Sequence, residues 1–265
     1  MSQKDIPGPR QSNRRYPLKK TTSVFLFLIL SIFFSSQPAR QEQKPPGSQL
    51  AVFVKAGDSS GSGTILQPAP GDGIIIAITD HTFKSDLKEV CVKMSEKTSG
   101  TTAYVLSRGD ENHDIAFLYL DSGGMANLSV VSSGATTQEK QRVFGHGFST
   151  KGKSISRKGL LLFHLEKILL GSYDLATTLD IDKGMSGGPI TDSQGRLVGM
   201  IATHSEPLWD SELMYQDRSP VEQRLSSIID RSAMGISSKI IEKRLAQIKL
   251  SKPDSAWRSK QCSTV

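Results

Sequence analysis

Ser186 is the serine most clearly marked for chemistry, because small residues crowd around it in the stretch Lys183-Gly184-Met185-Ser186-Gly187-Gly188-Pro189. Glycine is costly in regular structure and is kept where the backbone needs a positive φ or approaches another group closely. A serine on such a turn can present its hydroxyl while neighbouring N–H groups converge on one point, which is how an oxyanion hole is built. A loop that happens to carry a serine gives the same short pattern, so the assignment depends on the rest of the chain.

A nucleophilic serine needs a base and a carboxylate that orients the base. Among the five histidines, His81 stands at the end of the strand-like run 73–79, and Asp114 heads the apolar run 115–120. The remaining histidines are interpreted as structural or surface residues: His113, His146, His164 and His204. The order His, Asp, Ser excludes the α/β-hydrolase arrangement, in which the serine precedes the acid and the histidine.

Four blocks in sequence order carry a family resemblance. They are GSGTIL at 61–66, ITDHT at 78–82, HDIAFL at 113–118, and GMSGGP at 184–189 followed by GRLVGMI at 195–201. Together they resemble the chymotrypsin/trypsin-like serine proteases over roughly residues 50–205. The style is similar to bacterial enzymes of the HtrA-like group, here without a PDZ domain. The segments KGMSGGPI, 206–209 and 215–217 resemble a cyanobacterial envelope branch.

The resemblance implies a role for each member of the constellation. Ser186 would be the nucleophile, His81 the general base and then acid, and Asp114 the carboxylate that fixes the histidine tautomer. The backbone N–H groups of Gly184 and Ser186 would form the oxyanion hole.

The resemblance also implies where a polypeptide substrate binds. Backbone groups of Ala202, Thr203 and His204 would pair with an extended peptide. Asp180, six residues before Ser186, would lie near the floor of the primary specificity pocket and favour Lys or Arg at the cleaved position. A one-residue shift of the loop, or neutralisation by Lys183, remains open as an alternative.

The chain departs from the family pattern at two places. Asp80 precedes His81, where small apolar residues are usual, and a second carboxylate there would either raise the pKa of His81 or face solvent. No Ile-Val-Gly-Gly-like start is present, so activation by cleavage of a precursor is not expected.

The competing hypothesis is a catalytically weak or inactive module of the same fold that binds extended peptides or a partner protein.

Short apolar runs separated by Gly, Ser and Asp recur from residue 50 to residue 203, a pattern typical of an all-β protein. Helical periodicity appears in 220–231 and 236–249. With the resemblance, we expect two six-stranded antiparallel β-barrels of the chymotrypsin type and C-terminal α-helices. We place the barrels at 50–125 and 126–218, the helices at 219–250 and a disordered tail at 251–265.

The N-terminal 39 residues resemble an export signal. They hold six basic residues and one acidic residue, a net of +5, which leaves +2 of the total +7 for residues 40–265. The apolar run 24–34 fits a signal peptide, and an uncleaved membrane anchor is the alternative. Residues 40–49 are a linker. We therefore expect an extracytoplasmic protein, periplasmic, envelope-bound or secreted. The nearly neutral remainder argues against nucleic-acid binding.

The two cysteines, Cys91 and Cys262, define no disulfide framework. No Cys/His cluster has zinc spacing, and we expect neither a metal nor a cofactor. The oligomeric state is left open.

Overall fold

The structure is a computed structural model that describes residues 45–69, 73–84, 86–121, 138–203, 213–248 and 257–263. The signal segment, most of the linker, the apolar run 128–131 and His204 lie outside the described residues. Within the described ranges, no helix has the length and apolar character needed to span a bilayer.

Six strands form the first barrel: β1 (Ala51–Ala56), β2 (Ser59–Ala69), β3 (Gly73–Ile78), β4 (Glu89–Lys93), β5 (Gly100–Ser107) and β6 (Ala116–Asp121). They are hydrogen-bonded in the order β5-β4-β1-β2-β3-β6, and pairing of β5 with β6 closes the barrel. The isoleucine run in β3 is buried on both faces. Ile74, Ile76 and Ile78 fill the barrel interior, whereas Ile75 and Ala77 join a cluster that includes residues of the second barrel.

The second barrel is built from β7 (Arg142–Phe148), β8 (Ser154–His164), β9 (Leu175–Thr177), β10 (Pro189–Asp192), β11 (Leu197–Thr203) and β12 (Ala233–Ser237). The closed order is β10-β11-β12-β9-β8-β7. Val143, Leu161, Leu175 and Ile201 are among the side chains that fill its interior. The fold is therefore the expected pair of six-stranded antiparallel barrels.

The last strand of the second barrel lies beyond the boundary that we placed at residue 218. Helix α1 (Gln223–Ile229) precedes β12, and helix α2 (Ser238–Ala246) follows it directly. The Ser237 hydroxyl caps α2 by accepting a hydrogen bond from the Ile240 N–H at 3.4 Å. Ile241 and Leu245, four residues apart, are buried by α2. The expected helix at 236–249 is thus shorter, because a strand occupies its first residues.

The expectation of a disordered tail is wrong for residues 257–263. A short strand, β13 (Gln261–Cys262), pairs with β5, and Cys262 forms a disulfide with Cys91 of β4. The Trp257 ring lies edge-on to Tyr104 and Tyr119 at 5.9 Å. This segment is therefore fixed to the first barrel by a covalent bond and by aromatic packing.

His146 is a buried structural residue rather than a surface one. It lies on β7 and is only 1 % exposed. Its Nε2 is 3.0 Å from the Pro46 carbonyl oxygen and its Nδ1 is 2.9 Å from Ser156 Oγ. Burial lowers the pKa of His146 to about 4. His146 is therefore a neutral side chain that links the segment before β1 to the second barrel.

Candidate active site

Two neighbouring strand ends bring His81 and Asp114 together. His81 lies on a 3-10 turn (Asp80–Thr82) just after β3, and Asp114 lies two residues before β6, which pairs with β3 so that Ile78 opposes Ala116. The His81 Nδ1 is 2.6 Å from Asp114 Oδ2, and the His81 backbone N–H donates to Asp114 Oδ1 at 2.8 Å. Both contacts hold the imidazole against the carboxylate, so the structure brings these two sequence-predicted residues together.

The surroundings of His81 favour its protonated form. Burial by itself lowers the pKa of His81, but its hydrogen bond to Asp114, the charge of Asp114 and the charge of Asp80 outweigh this effect and raise the pKa above its usual value. The side chain of His81 is 47 % exposed and that of Asp114 is 11 % exposed. The His81 ring is thus accessible from solvent, while its partner carboxylate is shielded.

Asp80 both raises the pKa of His81 and holds a neighbouring loop. Its Oδ1 accepts hydrogen bonds from Arg108 Nε at 2.6 Å and from the Gly109 N–H at 2.8 Å. The Arg108 guanidinium in turn lies 4.3 Å from the centre of the Phe83 ring. Asp80 is therefore a partly buried anchor for the β5–β6 connection rather than a carboxylate that faces only solvent.

The turn that carries Ser186 depends on its glycines. Gly184 has φ +99° and Gly187 has φ +86°, values that non-glycine residues rarely adopt. A Cβ on Gly187 would lie 2.1 Å from the Ser62 carbonyl oxygen, and one on Gly184 would lie 2.6 Å from that of Phe148. Glycine is therefore required at both positions by the backbone conformation and by a close approach, that of β2 at Gly187 and that of β7 at Gly184.

Two N–H groups of this turn have no acceptor among the described residues, those of Gly184 and Ser186. The neighbouring N–H groups are occupied: Met185 N–H donates to the Asp182 carbonyl, Gly188 N–H to that of Met185, and Gly187 N–H to that of Ile201. Ser62 Oγ donates to the Gly184 carbonyl at 2.6 Å and accepts from the Phe148 N–H at 2.8 Å. These bonds fix the peptides on either side of Met185, so the Ser186 N–H, which belongs to the second of these peptides, is oriented in advance.

Ser186 lies beside the turn that carries His81. Its carbonyl oxygen accepts a hydrogen bond from the Ser62 N–H at 2.9 Å. A Cβ placed on the adjacent Gly61 would be 3.0 Å from Thr82 and 3.3 Å from the Ser186 carbonyl oxygen. In the described part of the chain, no hydrogen bond joins Ser186 Oγ to the His81 ring. Such a bond often forms only when substrate is bound.

The residues that we expected to bind substrate have different placements. Ala202 and Thr203 lie at the end of β11 and are buried, and the β11–β12 register shifts between Ile201 and Thr203. Asp180 is exposed, between the buried residues Leu179 and Ile181. The residues after Thr203, including His204, lie outside the described ranges, so the specificity pocket and the role of Asp180 stay a prediction.

A recess of about 320 Å³ opens beside His81. It is lined by Asp80, His81, Asp110, Glu111, Asp114, Leu170, Gly171 and Tyr173. Tyr173 was not predicted from the sequence, although its hydroxyl donates to Asp114 Oδ2 at 2.9 Å. It lies 59 residues from Asp114 and no local motif marks it. Throughout the described ranges, no group of three or more His, Cys, Asp or Glu side chains is arranged to hold a metal ion.

Comparison with solved structures shows the same fold in bacterial proteases. The serine endoprotease from Yersinia pestis is 17% identical with a TM-score of 0.55, over 76% of this chain and 63% of that chain. This chain therefore spans less than two thirds of the Yersinia protein. The inactive form of the M. tuberculosis protease Rv3671c is 17% identical with a TM-score of 0.54, over 76% of this chain and 90% of that chain.

A comparison with curated proteins finds no match. A family model described as the trypsin-like peptidase domain matches residues 61–200. This range begins in β2, before His81, and ends in β11, beyond Ser186. The chain therefore belongs to the trypsin-like peptidase domain family and is, by that membership, a serine-type endopeptidase.

Proposed function

We propose that Ser186, His81 and Asp114 act together as the catalytic triad, and that peptide bonds are cleaved through an acyl-enzyme. The observation that carries the proposal is the His81–Asp114 pair beside a serine turn in which two N–H groups have no acceptor among the described residues. A fixed imidazole and unpaired backbone donors are what acyl transfer at a serine requires.

In the first step, His81 Nε2 takes the proton of Ser186 Oγ as that oxygen attacks the scissile carbonyl carbon. The developing oxyanion is held by the N–H groups of Gly184 and Ser186. His81, now an imidazolium stabilised by Asp114, gives the proton to the leaving amine. Water then attacks the acyl-enzyme, with His81 again as base, and releases the acid and free Ser186.

The test is labelling of the protein by a fluorophosphonate, which reacts with activated serines. We expect the wild-type protein to be labelled, and Ser186→Ala and His81→Ala to lose labelling. His164→Ala, at an exposed histidine on β8, is the matched control and should label like the wild type. A folded wild-type protein that is not labelled but binds extended peptides would instead support an inactive peptide-binding module.

We further propose that the substrate is an extended polypeptide that adds to the end of β11, with a basic residue at the cleaved position. The exposed carboxylate of Asp180 six residues before Ser186 supports this preference. Cleavage of a peptide library should show enrichment of Lys or Arg at that position, and Asp180→Asn should reduce it. A library profile without basic preference would contradict the role of Asp180.

We also propose that the protein acts outside the cytoplasm, either released or held by residues 24–34. The basic head with its apolar run supports export, and the Cys91–Cys262 disulfide fits an oxidising compartment. Fractionation of cells that express the full chain, with N-terminal sequencing of the mature protein, distinguishes a cleaved signal from an anchor. Recovery of the protein only from the cytoplasm would contradict the proposal.

A further inference from the structure

Tyr173 reaches the triad from the opposite barrel. Its side chain is 8 % exposed and packs in the cluster between the barrels. Its hydroxyl donates to Asp114 Oδ2, the same oxygen that lies 2.6 Å from His81 Nδ1. Because an ionised carboxylate only accepts hydrogen bonds, the proton on this contact belongs to the tyrosine.

A strained turn between β8 and β9 sets the position of Tyr173. Gly171 has φ +78° and Ser172 has φ +70°, and a serine in this region is uncommon. The Ser172 hydroxyl is buried and donates to the Asn112 carbonyl at 3.1 Å. A Cβ on Gly171 would lie 2.6 Å from the Tyr173 ring, so the turn packs directly against the tyrosine.

The same turn also holds the backbone of Asp114. The Gly171 carbonyl accepts a hydrogen bond from the Asp114 N–H at 3.1 Å. Asp114 is thus held at its N–H by Gly171, at Oδ1 by the His81 N–H and at Oδ2 by both the His81 ring and Tyr173. One turn of the second barrel therefore contacts the carboxylate at its main chain and at its side chain.

Tyr173 remains a neutral donor. Burial raises its pKa, and the charge and hydrogen bond of Asp114 raise it further. A neutral hydroxyl beside the carboxylate stabilises its negative charge and restricts its rotation.

We propose that the Tyr173 hydroxyl is a positioning group for catalysis, which holds Asp114 in the orientation that directs His81 Nε2 towards Ser186. The inference rests on the proposed triad function. It assigns to Tyr173 a second effect, since a donor on Asp114 Oδ2 draws negative charge away from His81 Nδ1.

The test is Tyr173→Phe, which removes only the hydroxyl. We expect kcat to fall about tenfold, the size of a lost hydrogen bond to a charged group, while KM changes little. Without the donor, Asp114 attracts the His81 proton more strongly, so the acid limb of the kcat/KM profile should move to higher pH. The other carboxylates around His81, Asp80, Asp110 and Glu111, are the same in both proteins.

Tyr215→Phe is the matched control. Tyr215 is equally buried in the same cluster, and its hydroxyl donates to Glu222 Oε2 at 2.9 Å, away from the triad. The Tyr215→Phe variant should leave kcat and the pH profile of kcat/KM unchanged. Thermal unfolding of both variants measures how much each hydroxyl contributes to stability alone.

A readout that needs no activity separates this inference from the triad proposal. In Ser186→Ala protein, NMR titration of the His81 ring should give a higher pKa when Tyr173→Phe is added, and no change with Tyr215→Phe. Wild-type protein that fails to label would overturn the triad proposal, while the NMR titration would still report the Tyr173 contact. Unchanged kcat and an unchanged His81 titration in Tyr173→Phe would overturn the role of Tyr173.

Discussion

At the scale of single residues, the recess beside His81 is lined by carboxylates that each have a basic partner. Asp80 pairs with Arg108, Asp110 with Arg244, Glu111 with Arg218, and Asp114 with His81. Arginine keeps its charge at all relevant pH values. Protonation of His81 therefore changes the charge of the site, because histidine is the side chain that ionises near neutral pH.

The acid limb of the kcat/KM profile should follow the protonation of His81, because a protonated imidazole cannot accept the Ser186 proton. Asp80→Asn removes one of the charges that raise the pKa of His81, so we expect the limb to move to lower pH. Asp86→Asn is the control, since this fully exposed carboxylate also faces Arg108, at 3.8 Å. A limb that stays in place in Asp80→Asn would contradict the electrostatic role of Asp80.

At the scale of elements, β2 supports the turn that carries Ser186 through Ser62. Ser62→Ala should lower kcat by about ten- to a hundredfold with a smaller effect on KM, because the Gly184 carbonyl loses the hydrogen bond from Ser62 Oγ. The unpaired Phe148 N–H should cost about 1–3 kcal/mol of folding stability. Steady-state kinetics and urea unfolding measure the two effects.

Thr191→Val provides the comparison for Ser62→Ala. Thr191 is also fully buried, and its hydroxyl donates to the Pro46 carbonyl at 3.0 Å, away from the serine turn. It should lower stability and leave kcat unchanged. Equal losses of kcat in both variants would assign the effect of Ser62 to general destabilisation.

The junction of β12 and α2 contains a buried carboxylate whose protonation stabilises the fold. Burial raises the pKa of Asp174 to about 6, against hydrogen bonds from Ser237 and the charge of Lys239. The folded state therefore binds a proton more tightly than the unfolded state, and stability falls as pH rises from about 4 to 6. Asp174→Asn should be more stable than wild type by roughly 1–3 kcal/mol at pH 7.5.

That advantage of Asp174→Asn should disappear towards pH 4, where the wild-type carboxyl is protonated. Asp230→Asn, at an exposed position after α1, should change stability little at either pH. Urea unfolding across this range checks both variants. A wild type that is more stable at pH 7.5 than Asp174→Asn would contradict the assignment, because it would mean that the ionised Asp174 stabilises the fold.

Sequence reasoning located most of the strands and selected His81 and Asp114, which the structure brings together. It could do so because apolar runs separated by turn residues and ordered motif blocks are local signals. It missed β9, which has three residues, and β12, whose residues Ala233–Ser237 lie between two helical patterns. The contact of Tyr173 with Asp114 and that of His146 with Pro46 join segments that lie far apart in the chain. Such contacts are set by the packing of the barrels, which no short pattern encodes.

At the scale of the whole molecule, the Cys91–Cys262 disulfide joins residues 171 apart and fixes the last strand to the first barrel. Sequence could not pair these two cysteines, since spacing alone does not show proximity. Closing so long a loop restricts the unfolded chain more than it restricts the folded one.

Cys262→Ser should lower the free energy of unfolding by about 2–5 kcal/mol. Cys91→Ser should have a similar effect, and the double variant should add little to either, because all three remove the same bond. Wild-type protein in reducing agent should unfold like the variants. Equal stability of oxidised and reduced wild type would show that the bond does not hold the fold.

The second barrel cannot close during synthesis until strand β12 has been made. It lies between β9 and β11, yet it is made after both of them and after Ser186. Until residue 237 has left the ribosome, both neighbours have an open edge, and the strand expected to hold substrate lacks its support. A nascent chain that ends before β12 should therefore not yet cleave peptides.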